Sequence, residues 1–373
     1  MTKLNILHVI SYIGQDQGGP VESLRLIVKA QVSSGHRIQI VHTHTSSNGM
    51  TIDFENQTKI IELKSFTNYR VSFNSINKII NKDYIPDIIH VHGLWSYNLI
   101  VVQKISKKFN IPFFISPCGM LNPKALKISK YRKKIISFLF EESIIKSANC
   151  LIAKSQLESK DISNLYPNNR IEIIGNPIDL HHLDDNYNIN SDSKNKELIF
   201  IGRIHHVKGL VRLLRAWNKI APKFQDWELT LIGPDESNYL SQLQKIINFK
   251  QNRVKYLGAI YNREKWQRLY NADLFIMPSN FENFGTSILE ALSSGLPVII
   301  SNQTPWTEIQ KHKMGWIVEN NNESIEKTLE IALSYSKKEL KIMGEKGKKF
   351  AKYFDYKFIG DTLIRLYYKL QYD

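Results

Sequence analysis

Two glutamates eight residues apart, Glu282 and Glu290, stand in the stretch Met277-Pro-Ser-Asn-Phe-Glu282-Asn283-Phe284-Gly285-Thr286-Ser-Ile-Leu-Glu290-Ala-Leu-Ser-Ser-Gly295-Leu-Pro-Val. An apolar run ends at Pro278, and helical spacing starts near Gly285 and stops at Gly295. A helix that follows a strand in this way sets its first amides at the strand's carboxyl end, where ligands of open α/β sheets bind. A fully helical rise would separate the two carboxylates by up to about 12 Å. That gap suits a diphosphate lying between two diols. One carboxylate would accept hydrogen bonds from ribose hydroxyls and the other from sugar hydroxyls, with the phosphates at the helix N-terminus. Glutamates at this spacing occur in proteins of every kind, so the reading rests on the strand before them, the Phe-Gly turn between them and Gly-Leu-Pro-Val after them.

A second cluster is Gly202-Arg203-Ile-His-His-Val-Lys208-Gly209, directly after another apolar run. Arg203 and Lys208 would flank the same crevice from a neighbouring strand end, where two cations neutralise a departing diphosphate. The bland alternative is a basic turn bonded to solvent. The chain contains no Asp-x-Asp, which removes a common way of holding a divalent ion beside a diphosphate. The expectation is therefore no metal and no cofactor, with arginine and lysine taking over that electrostatic task.

The elements that must position these residues repeat one pattern. Leu4 to Ile10 reads as a buried strand, Gly18 and Gly19 as a loop, and Pro20 as the opening of a helix closed by Gly35. Arg37–Thr43, Ile88–His92, Pro112–Ser116, Cys150–Ala153 and Ile171–Ile174 supply further short strands with helical spacing between most of them. A parallel sheet covered by helices follows. Polar, Asn-rich sequence around 179–195 reads as a linker. The pattern then restarts with strands at Glu197–Ile201, Leu229–Ile232, Val254–Leu257, Leu274–Met277 and Val298–Ile300, and a helix at Leu210–Ile220. The expected division is a Rossmann-like domain over 1–178, the linker, a second such domain over 196–355, and a helix over 356–373 that packs back on the first.

Composition permits this. A chain of 373 residues exceeds the usual size of one core, and 42% apolar with 23% charged residues is ordinary for a globular protein. Two cysteines, Cys118 and Cys150, give neither a disulfide framework nor metal-ligand spacing. No base for a nucleophilic Cys118 is identifiable. No apolar run long enough to cross a membrane occurs, nor a secretory leader, so the expected setting is the cytoplasm. A net charge of +15 implies an anionic partner. Lys124, Lys127, Lys130, Arg132, Lys133 and Lys134, interleaved with or followed by Ile128, Tyr131, Ile135, Ile136, Phe138 and Leu139, would form a basic face against anionic lipid if helical, or else a solvated face over a core helix.

On Gly202–Gly209 and the Glu282–Glu290 block, together with His90-Val-His92-Gly-Leu-Trp95, Gly175-Asn-Pro-Ile-Asp179 and the Gly-Gly-Pro loop, the chain resembles the retaining glycosyltransferases of family 4. The resemblance covers nearly its whole length. It implies an α/β GT-B fold, two Rossmann-like domains facing a central cleft. It also implies that Glu290 binds the nucleotide ribose, that Glu282 contacts the transferred sugar, that Arg203 and Lys208 hold the diphosphate, and that amides near Phe284, Gly285, Thr286, Gly18 and Gly19 approach it. The implied partners are a nucleotide sugar and a glycan or lipid-linked acceptor in cell-envelope polysaccharide synthesis, at the inner face of the membrane. Two departures stand out. Asn283 occupies a place where many relatives have glycine, and Ser116-Pro-Cys-Gly119 replaces a segment in which many carry a histidine. His92 either takes part of that role or packs at a strand end, and Trp95 is an acceptor platform or a packing residue. The rivals are a polyanion- or nucleic-acid-binding protein, which leaves both glutamates unexplained, and a transferase-like scaffold without catalysis. No nucleic-acid module is recognisable, so nucleic acid is not an expected partner.

Overall fold

The computed structural model describes residues 2–14, 19–43, 53–63, 75–80, 83–127, 141–183, 187, 195–235 and 238–372. They form two compact units, one of 1–178 with 354–373 and the other of 179–353. No helix among the described residues is long and apolar enough to cross a membrane. Gly18 and residues 128–140 of the basic stretch lie outside the described residues.

The first unit is built on a seven-stranded parallel sheet. Its strands are β1 (Asn5–Ile10), β2 (Arg37–His42), β3 (Lys59–Glu62), β4 (Ile88–His92), β5 (Phe113–Ser116), β6 (Cys150–Ala153) and β7 (Ile171–Ile173). They run in the order β3-β2-β1-β4-β5-β6-β7. Side chains alternate across each strand. Leu7, Val9, Ile89, Val91 and Ile115 therefore enter the core on one face, and Ile6, Ile10, Ile38, Phe114 and Ile152 the core on the other. Near-continuous apolar runs such as Ile-Leu-His-Val-Ile are what a strand buried on both faces needs. The second face is covered by the helix Gly19–Ser33 and by the last helix, Tyr356–Tyr372, which supplies Ile359, Leu363 and Tyr367. These two helices touch at Gly360, where a Cβ would stand 2.3 Å from the Cβ of Ala30.

The second unit repeats the design with six parallel strands: β8 (Lys196–Ile201), β9 (Trp227–Ile232), β10 (Val254–Tyr256), β11 (Leu274–Met277), β12 (Val298–Ser301) and β13 (Gly315–Val318). Their order is β10-β9-β8-β11-β12-β13. The chain winds outward from β8 to β10, then returns and winds the other way from β11. The switch point lies between β8 and β11, which pair in register at Leu274 with Leu198 and Phe275 with Ile199. In the first unit the switch point lies between β1 and β4. At each switch the loops leaving the two carboxyl ends diverge and open a crevice.

Candidate active site

The β8–β11 switch point gathers both sequence clusters of the second unit. Gly202–Gly209 leaves β8, with His206–Lys208 as a single 3₁₀ turn. Gly209 follows at φ +73°, and a Cβ there would meet the carbonyl oxygen of Pro278 at 2.0 Å, so only glycine lets this turn lie against the end of β11. Asn280 fastens the two loops. Its amide donates to the Val207 carbonyl at 2.7 Å, its Nδ2 to the His206 carbonyl at 3.0 Å, and its Oδ1 accepts from Arg212 at 2.5 Å and from Asn320 at 2.8 Å.

That bracing brings Lys208 to Glu282. The ammonium donates to Oε1 at 2.5 Å, and the Ser279 hydroxyl donates to the same oxygen at 2.8 Å. Both charged side chains are largely buried, at 15% and 11% exposure. Glu290 has a counterpart. Lys265, on the helix Asn262–Asn271, donates to its Oε1 at 2.7 Å. Two buried carboxylate–lysine pairs thus flank the start of the helix Thr286–Ser293.

The turn before that helix is held from the loop after β12. The Trp306 indole donates to the Phe284 carbonyl and meets its ring edge-on at 5.1 Å, while the Glu282 amide donates to Gln303 at 3.2 Å. Gly285 caps the helix at φ +80°, where a side chain would collide with Ile288 at 2.8 Å. The first turn of any helix presents amides without intrahelical acceptors, and here they point out of the carboxyl end of the sheet. Phe284 is buried, Asn283 and Thr286 are half-buried, and Arg203 is exposed.

In the first unit, Gly19 opens the helix that follows β1. At the end of β4, His92 is 6% exposed and bonds His8. Register places His8 opposite His90, and three imidazoles share one face of the sheet. His8 Nε2 meets Gln31 at 2.7 Å and His8 Nδ1 meets His92 Nε2 at 3.0 Å. His90 is held at both nitrogens, by Tyr367 at 2.6 Å and Ser116 at 2.8 Å. Potential ligand atoms of the three lie within 4.8 Å of one another. The donor set fits a cation poorly, because both nitrogens of His90 are engaged and the charge of Lys154 acts on His90 and His92. It is a hydrogen-bonded cluster. Trp95 stands at φ +60°, donates its amide to Glu141 at 3.2 Å and packs on the core. Burial pushes the Cys118 thiol up to about 11, so it is protonated at neutral pH and a poor nucleophile.

Burial lowers His8 from 6.5 to about 4 and holds His90 and His92 well below the ordinary range. A depressed folded-state value means that below pH 6.5 the unfolded chain binds protons the folded chain refuses, so stability is lost as pH falls toward 4. His8 alone accounts for a loss of about 3 kcal/mol. Urea denaturation followed at pH 7 and pH 4.5 should show that loss, and a smaller one in His8→Gln. Equal losses in both proteins would remove His8 as its cause.

Comparison with known proteins places these loops in a family. The model for glycosyl transferases group 1 matches residues 184–350, and that for glycosyltransferase family 4 matches residues 17–182. This chain belongs to the group 1 glycosyltransferases. Among relatives of the transferase, a 41.2 kDa protein in the cps region of Klebsiella pneumoniae is 25% identical over 76% of this chain and 78% of its own length. An uncharacterized glycosyltransferase of Methanocaldococcus jannaschii is 28% identical over 47% of this chain, and the match spans about half (48%) of that relative. The GT-B fold is shared with sucrose-phosphate synthase from Thermosynechococcus elongatus, at TM-score 0.77 and 18% identity over 98% of this chain and 99% of that one. HepE of Anabaena, solved in complex with UDP-glucose, superposes at TM-score 0.73 and 16% identity over 97% and 99% of the two chains.

Sequence reasoning did not single out Lys265, Asn280 or Trp306 in this transferase. Asn280 lies inside the stretch from Met277 to Val298, and its position in a strand-end loop was the available signal. Lys265 carries none, since it sits 25 residues from Glu290 on a different helix.

Proposed function

We propose that this transferase moves a sugar, with retention, from a nucleotide-diphosphate sugar of the UDP or GDP class to a glycan or lipid-linked acceptor in cell-envelope polysaccharide assembly. The observation that carries the reading is the pair of buried carboxylate–lysine contacts, Glu282–Lys208 and Glu290–Lys265, on either side of the helix start at the β8–β11 switch point. Glu290 accepts hydrogen bonds from the ribose diol, and Glu282 from the sugar hydroxyls. A lysine has three donors, so Lys208 reaches a phosphate without leaving Glu282. As the bond from anomeric carbon to phosphate breaks, Arg203, Lys208 and the amides from Gly285 onward stabilise the leaving diphosphate, and the acceptor attacks the face it vacates. The nucleotide class is supported by HepE, whose complex holds UDP-glucose, and the polysaccharide setting by the Klebsiella relative from the cps region. The enzyme works at the cytoplasmic face of the membrane, where the basic stretch from Lys124 to Lys134 meets anionic lipid.

Catalysis needs no divalent ion in this reading. A thermal-shift panel of UDP, GDP and ADP sugars identifies the donor, because a ligand that binds only the folded protein raises its stability. With that donor, transfer should survive EDTA. Abolition by EDTA and recovery with magnesium or manganese would overturn metal independence.

A further inference from the structure

The carboxyl end of the first sheet holds a lysine that the donor site does not use. Lys154 follows β6 directly, is 4% exposed, and its ammonium has no hydrogen-bond partner among the described residues. A buried charge without a partner is costly and ordinarily signals a ligand, a counter-ion or a catalytic task. The obvious counter-ion is engaged elsewhere. Glu158 places Oε2 on the backbone amide of Lys154 at 2.6 Å and Oε1 on the amide of Gly119 at 2.5 Å. It therefore ties the loop after β5 to the end of β6.

Two further observations point the same way. The helix Gln156–Leu165 begins here, capped by Ser155, so its first-turn amides and positive dipole end lie beside Lys154. Two more buried donors without a hydrogen-bond partner among the described residues follow β4 at this end of the sheet, the Trp95 indole Nε1 and the Asn98 amide Nδ2. All three unpaired groups are donors. Surroundings of that kind await an acceptor with negative charge, and the lysine's flexible four-carbon stem lets its charge meet one.

We propose that Lys154 and the start of the helix Gln156–Leu165 form a subsite for an oxyanion carried by the acceptor, a phosphate or a carboxylate. This rests on the transferase reading. It places the anion on the acceptor because Lys154 belongs to the first unit, whereas Glu282, Glu290, Arg203 and Lys208 belong to the second.

The test uses the full chain with saturating UDP, so that the donor site is occupied. Thermal midpoints are followed while inorganic phosphate or, separately, glucuronate is titrated at constant ionic strength. The wild type should rise by roughly 2–4 °C with one of them. Phosphate alone assigns a phosphorylated acceptor, and glucuronate alone an acidic sugar. Lys154→Met should lose the response and, freed of a buried unpaired charge, melt higher than wild type without added anion. Lys154→Arg should keep the response, which preserves the test if the methionine variant folds poorly. No response to either anion, or an undiminished response in Lys154→Met, overturns the subsite. The midpoint shift caused by UDP itself reports on the donor reading independently, so the two failures are distinguishable.

Discussion

Replacing Glu282 by alanine should lower sugar transfer by about 100-fold or more while changing UDP affinity less than about threefold, since a reacting sugar misplaced by an ångström costs a factor of that size. Glu282 is the carboxylate that Lys208 of the β8 loop bonds, held by Lys208 and Ser279 in a turn fixed by Gln303. Its remaining acceptor capacity serves hydroxyls that the bare nucleotide lacks. Alanine also leaves Lys208 buried without its partner, which costs about 3 kcal/mol or more of stability. Glu282→Gln therefore belongs beside it, because the amide keeps the shape and one acceptor oxygen. Transfer kinetics with UDP titrated by calorimetry would separate the outcomes. An alanine variant with wild-type turnover, or one that has lost nucleotide as severely as sugar transfer, would contradict the role.

Much of this architecture is legible before any coordinates. Strands within a covered sheet have to be written as short apolar runs, and those runs locate β1, β2, β4 to β7 and most of the second sheet to within a residue or two. The helix Leu210–Ile220 falls where its spacing predicts. Two strands escape. β3 is an edge strand with three of its four residues exposed, and β13 is a half-buried edge strand with Trp316 and Ile317 partly exposed, so neither carries the signal of a buried run. The glycines are legible for a sharper reason. Gly209 and Gly285 occupy left-handed turns where a Cβ has no room, and such positions leave a fixed mark in the sequence.

The partners are not legible. Lys208 and Glu282 lie 74 residues apart, and His8 and His92 lie 84 apart. Their meeting depends on which strands are neighbours, a property of sheet order rather than of local pattern. The same holds for Lys154, which reads as an ordinary polar residue after a strand until burial and the commitments of Glu158 are known.

The division of labour at the switch point is tested most directly by calorimetric titration of UDP into the wild type, Glu290→Ala and Glu282→Ala. Charge-assisted hydrogen bonds are each worth about 1.5–3 kcal/mol, so losing a carboxylate that holds both ribose hydroxyls should weaken UDP by about 100-fold or more. Lys265, left without Glu290 on its own helix, is a second site to watch, and Lys265→Met paired with Glu290→Gln controls for the uncompensated charge. The expected result is tight UDP binding to the wild type, a loss of that size in Glu290→Ala, and near-wild-type affinity in Glu282→Ala. Equal weakening in both alanine variants, or UDP affinity that ignores Glu290, would contradict the account.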